Sequence, residues 1–180
     1  MSKKVLILST SPRVNSNSEA LADAFGRGAE EAGHSVEKIS LRGKNIRFCL
    51  GCFVCQEKGR CVIPDDMGPI VEKMEQADVL VFATPIYYYE MSGQMKTLLD
   101  RANPLFVADY RFRDVYFLSS AAEDEAFVPQ RAQSGLEGWI DCFEKARLAG
   151  AVFGGGVTDV GEIEGHHALA EAYEMGKAIR

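Results

Sequence analysis

The sequence predicts an α/β fold in which five parallel strands alternate with five helices wound over both faces of one sheet. Three observations predict it. The segments 4–9, 78–83 and 114–119 are nearly unbroken apolar runs, as strands covered on both faces require. Apolar residues between such runs recur at three- to four-residue spacing, the period of a helix. The two patterns alternate, and no repeat, low-complexity stretch or linker divides the chain. Its 180 residues, 1–180, therefore read as a single domain with one Cys-rich loop at 45–65.

The first strand is 4–9, Lys-Val-Leu-Ile-Leu-Ser. A helix follows over about 17–32, with Leu21, Phe25, Ala29 and Ala32 on one side. Ser16 and Glu19 have the form of a capping box, and Gly33 supplies a stop. The weaker strand 35–41 carries charge and suits a sheet edge. A helix at about 67–76 leads to the strand 78–83, which Pro85 is expected to end. Helices at about 91–102, 131–147 and 166–178 alternate with strands 114–119 and 149–153. Right-handed crossovers would place a ligand crevice beyond the carboxyl ends of the strands, where strand order reverses. The loops after the first, third and fourth strands are therefore the ones to inspect.

A net charge of −6 provides no broad basic face for nucleic acid or anionic lipid. The apolar run 5–8 is too short for a signal-peptide core, and no segment reaches the roughly 20 apolar residues of a membrane span. The chain reads as cytoplasmic. Of five cysteines, four fall within 49–61. An odd, clustered set argues against a disulfide framework and for metal or redox chemistry.

The loop 9–18 joins the first strand to a helix N-terminus and is dense in hydroxyls and amides. Free N–H groups there, with Arg13, could bind a phosphate; an ordinary capped turn is the alternative. It is neither a P-loop nor G-x-G-x-x-G. Thr10-Ser11-Pro12-Arg13 followed by Ser16-Asn17-Ser18 resembles the phosphate loop of NADPH-dependent FMN reductases and related flavodoxin-like oxidoreductases. Their usual Gly is Thr10 here. The resemblance extends over essentially the whole chain. It implies a flavodoxin-like sheet of order 2-1-3-4-5, with Ser11, Arg13, Ser16, Asn17 and Ser18 around the phosphate of FMN. Thr84-Pro85-Ile86-Tyr87 is similar to the family's second flavin loop, so Thr84, Pro85, Ile86 and Tyr87 should line the flavin. Two more tyrosines follow, and aromatic rings suit a flat isoalloxazine, although any one of them could pack in the core instead. Ser119 and Ser120 occupy a position that approaches the flavin in the family. Lys96 and Asp100-Arg101 match family positions and read as structural charges on a helix.

Cys49-x2-Cys52-x2-Cys55-x5-Cys61 could surround one soft-metal centre. Structural zinc sites split their cysteines into two separated pairs, whereas strict x2 spacing is closer to a cubane ligand run. The run resembles that of iron–sulfur flavoproteins, a branch of the same superfamily, as does the tail 154–177. This resemblance implies a 4Fe-4S cluster that exchanges single electrons with FMN. Zinc, a disulfide or free thiols remain open alternatives.

Cys142, beside Trp139, Ile140 and Phe143, reads as a buried thiol in a helix. His166-His167 lack metal-ligand spacing, and Gly154–Gly156 reads as a tight loop. No Ser/His/Asp or paired-carboxylate set stands out, so no side chain is assigned a catalytic role and a flavin would carry the chemistry. The expected function is an FMN-binding oxidoreductase. NAD(P)H would be its transient co-substrate, and a quinone, a flavin or a redox protein its acceptor. The alternatives are a non-enzymatic FMN electron carrier and a zinc-stabilised binding protein. The resemblance also implies a homodimer or homotetramer.

Overall fold

A computed structural model describes all 180 residues, Met1–Arg180. The first half contains β1 (Lys4–Ser9), α1 (Asn17–Glu31), β2 (Ser35–Ser40), α2 (Val54–Lys58), α3 (Met67–Gln76) and β3 (Val79–Tyr87). The second contains β4 (Glu90–Met91), α4 (Gly93–Arg101), a 3-10 turn (Asn103–Val107), β5 (Asp114–Ser120), α5 (Gln130–Ile140), β6 (Arg147–Gly154) and α6 (His167–Lys177). The main sheet runs β2-β1-β3-β5-β6, all parallel. This is the predicted doubly wound, flavodoxin-like order, with the two-residue β4 added as an antiparallel hairpin on β3. No helix is long and apolar enough to cross a membrane.

Alternation along the strands divides the core. Leu6, Leu8, Leu80, Phe82, Val115 and Phe117 face Met67, Met74, Met95, Leu98 and Leu136. Val5, Ile7, Val79, Val81 and Leu118 face Leu21, Phe25, Ala168 and Ala172. Helices α3, α4 and α5 thus cover one face of the sheet, and α1 and α6 the other.

Three expectations are corrected. β3 does not stop at Pro85. The Ala83 carbonyl accepts from Thr10 N–H, so residues 83 and 85 point their backbone groups toward β1. β1 pairing ends at Ala83, so the missing N–H of Pro85 breaks no ladder while β3 continues beside β5. Helix α5 ends at Ile140 rather than 147. Phe143 folds under to pack on Tyr110, Phe112 and Trp139, and the chain turns back to pair Arg147 with Asp114. Cys142, on that turn, is consequently exposed rather than buried.

Helices α1 and α6 meet backbone to backbone. A Cβ on Gly176 would lie 2.1 Å from the Phe25 carbonyl oxygen, and one on Gly28 would lie 2.0 Å from that of Tyr173. Gly176→Ala should therefore destabilise the fold by about 1–3 kcal/mol. Gly138, in α5 with open space around it, should tolerate Ala and gain about 0.5–1 kcal/mol. Denaturant titration of both variants checks this contrast.

The cysteine loop is closed at its neck by one ion pair. Arg101 is 1% exposed and forks onto Asp65, with Nη1–Oδ2 at 2.7 Å and Nη2–Oδ1 at 2.9 Å. Asp65 also accepts from the N–H groups of Arg47 and Met67. Burial acts to raise the Asp65 pKa, but Arg101 and the two N–H groups outweigh it and hold it at about 2. A depressed carboxyl stabilises the fold fully above its unfolded pKa of about 3.9, and that contribution is lost as pH falls through the folded value. Wild type should thus lose stability between pH 4 and 2 in urea titrations, a component absent from Asp65→Asn. Arg101→Met should cost about 3–5 kcal/mol at pH 7, because it strands a buried carboxylate.

Candidate cofactor site

The carboxyl ends of β1, β3 and β5 open into one crevice. Its first part, about 170 Å³, is lined by Ser11, Arg13, Ser16, Asn17, Pro85, Ile86, Tyr87 and Ser120, with Ala121, Ala122, Val157, Thr158 and Val160. Its second part, about 460 Å³, is lined by Ile86 through Tyr89, Ala121 through Glu123, and Val128. Ile86, Tyr87, Ala121 and Ala122 belong to both, so the two parts adjoin.

The polar end is built on the N-terminus of α1. Ser16 caps it by accepting from Glu19 N–H at 3.2 Å, leaving other first-turn N–H groups beside the crevice. Asn17 has both side-chain polar atoms engaged: Nδ2 donates to the Asp159 carbonyl, and Oδ1 accepts from Ile163 N–H. Arg13 donates to the Thr158 carbonyl at 2.7 Å. These bonds bring in the loop after β6, whose part in the crevice nothing in the sequence pattern signalled. Glu162 stiffens that loop by accepting from Thr158 and Asp159 N–H, which holds its carboxyl below the usual range.

Ser18, Thr84 and Ser119 are fully buried and stand behind the crevice rather than on its wall. Thr84 belongs to a hydroxyl chain. Thr10 Oγ1 donates to the Ala83 carbonyl, so Ser92 must supply the proton shared with Thr10 at 3.0 Å. Thr84 Oγ1 in turn lies 3.2 Å from Ser92 Oγ and accepts from Ser92 N–H. This chain fixes the first crevice loop to the second. Ser119 Oγ and Ser9 Oγ are buried without a partner.

The aromatic end depends on a strained hairpin. Tyr88 and Tyr89 link β3 to β4 as a two-residue turn, with φ of 51° and 64°. Tight hairpins need positive φ at both positions, and Asn-Gly normally supplies it. A bulky residue held there costs about 1–2 kcal/mol. Tyr88 is 98% exposed, so burial does not repay that strain. Tyr89 donates to the Glu123 carboxylate at 3.0 Å and packs near Phe127 and Arg131. The Glu123 charge raises the Tyr89 pKa, so its hydroxyl keeps its proton.

Cys49, Cys52, Cys55 and Cys61 line a separate cavity of about 330 Å³ with Phe53, Asp100 and Asn103. All four cysteines line that cavity, but no three His, Cys, Asp or Glu side chains stand together as metal ligands. Cys55 lies buried in α2, an element the sequence did not suggest; Cys49 and Cys52 are exposed. Lys96 and Asp100 form an exposed pair one helical turn apart. His166 caps α6 by accepting from Ala168 N–H and stacks on His167.

A family model described as NADPH-dependent FMN reductase matches residues 3–152. An iron–sulfur flavoprotein of Archaeoglobus fulgidus is 39% identical over 94 residues, 52% of this chain and 43% of that protein. One from Methanocaldococcus jannaschii is 39% identical over 102 residues, 57% of this chain and 53% of that protein. The chain thus spans about half the length of these curated relatives. Among solved structures, the NAD(P)H:quinone oxidoreductase from Methanothermobacter marburgensis aligns over 98% of this chain and 96% of its own. Its TM-score is 0.77 at 20% identity. An FMN-dependent NADH-azoreductase from Bacillus anthracis, in complex with FMN, aligns over 96% of this chain and 97% of its own. Its TM-score is 0.68 at 16% identity. These two likenesses show the fold, and the family match over 3–152 shows that the chain belongs to the NADPH-dependent FMN reductase family.

Proposed function

We propose that the chain is an FMN-dependent oxidoreductase that takes electrons from NAD(P)H and passes them to a small acceptor such as a quinone or flavin. The observation that carries this reading is the pair of adjoining cavities, polar and helix-capped at one end and aromatic at the other. A phosphorylated flavin fits that polarity end for end. Ser11, Arg13, Ser16 and the first-turn N–H groups of α1 would hold its phosphate. Ser18 and Thr84 would act from behind, fixing loop shape, and Asn17, on the wall, would tie the loop after β6 to the phosphate end. Pro85, Ile86, Tyr87 and Ser120 would flank the ring, with Ser119 beneath them. Bound FMN supplies acceptance of a hydride and release of electrons singly or in pairs. The protein's part is to bind, orient and keep water from the ring.

The cysteine loop fits a second centre by its donor set. Four cysteines lining one cavity, in a loop closed by the Arg101–Asp65 neck, match the ligand chemistry of an iron–sulfur cluster. Binding one would need the exposed Cys49 and Cys52 to turn inward. The apolar side chains of Phe48, Leu50, Phe53 and Phe106, exposed around it, support a homodimer or homotetramer.

Anaerobic purification followed by visible spectroscopy tests both parts. Flavin bands over a broad absorption that bleaches on reduction, with NAD(P)H-driven quinone reduction, are expected. Flavin bands alone after cluster reconstitution would remove the iron–sulfur part. Failure to retain FMN would overturn the whole reading. Tyr88→Asn should stabilise the fold by up to about 1 kcal/mol, since Asn accepts the left-handed conformation. It should also slow quinone reduction if the ring serves the acceptor; thermal melts and steady-state rates check the pair of effects.

A further inference from the structure

Asn103 opens the 3-10 turn that follows α4, and its Nδ2 donates to the sulfur of Cys55 at 3.0 Å. Cys55 is the buried member of the four. A second sulfur is served by the backbone, through Gly51 N–H to Cys49 at 3.4 Å. Two of the four sulfurs therefore have an N–H donor.

Neutral thiols are weak acceptors and gain little from such donors. Sulfur carrying negative charge gains much more. When an iron–sulfur centre takes up an electron, charge on its sulfurs rises, and hydrogen bonds to them are among the factors that set its potential. We propose that Asn103 is a positioning residue for the cysteine-held centre, its amide fixing Cys55 inward and favouring the reduced state. The Gly51 N–H, at Cys49, acts in the same direction. This inference rests on the reading of Cys49, Cys52, Cys55 and Cys61 as iron–sulfur ligands.

The test uses the full chain, purified and reconstituted without oxygen, in wild-type and Asn103→Leu forms. Iron content and FMN content are measured first, then the midpoint potential of the centre by a titration followed by electron paramagnetic resonance. The expected result is unchanged iron and FMN with the reduced state disfavoured at least tenfold, a fall of about 59 mV for a one-electron couple. Equal potentials at equal iron content would overturn the role of Asn103 and leave the cluster reading intact. A wild-type chain that takes up no iron would overturn the cluster reading and this inference with it. If Asn103→Leu loses iron, wild type decides the matter alone. Its reduced centre, in a chain carrying nitrogen-15 asparagine, should couple to an asparagine amide nitrogen, and absence of that coupling would overturn the inference.

Discussion

Parallel pairing of β1, β3 and β5 is the constraint on which the rest of the molecule depends. Parallel strands all end at the same edge, so three loops far apart in sequence leave the sheet side by side. Helix α1 then turns onto one face and α4 and α5 onto the other, which parts the loops into a crevice. The Thr10–Ser92–Thr84 hydroxyl chain then fixes the first two loops to each other. Without the parallel register, the polar end at Ser16 and the aromatic end at Tyr87 would have no common wall.

Helix α4 ties this crevice to the cysteine loop. Its N-cap, Ser92, sits in the hydroxyl chain, and its last residue, Arg101, closes the neck at Asp65. Nine helical residues span about 14 Å, so one rigid element spaces the two sites. Asn103, just beyond that helix, aims its amide at Cys55. The two arginines differ in setting: Arg101 is buried and paired with Asp65, whereas Arg13 is exposed and lines the crevice.

What could be read in the sequence was local. Apolar runs announced β1, β3 and β5, Ser16 announced the α1 cap, and the x2 spacing announced the cysteine cavity. What could not be read depends on contacts made across the fold. Pro85 signals a strand end by itself, yet β3 passes through it because β1 has already finished. The spacing of α5 ran on toward 147, but the return of the chain to Asp114 ended the helix and exposed Cys142. The loop at Val157–Val160 is held at the crevice by bonds made across the fold, from Arg13, from Asn17 and to the Ala121 carbonyl. Arg101 read as a structural charge on a helix, but its partner, 36 residues away in the chain, could not be named from spacing.

The central claim is that the crevice is a phosphate cradle joined to a ring site. Equilibrium binding of FMN and of riboflavin to the flavin-free chain tests it most directly, since the two ligands share the ring and differ by the phosphate. Two charge-assisted hydrogen bonds of about 1.5–3 kcal/mol each predict FMN tighter by about a hundredfold or more. Equal affinities would mean that Ser11, Arg13, Ser16 and the α1 N-terminus hold no phosphate, and would contradict the account.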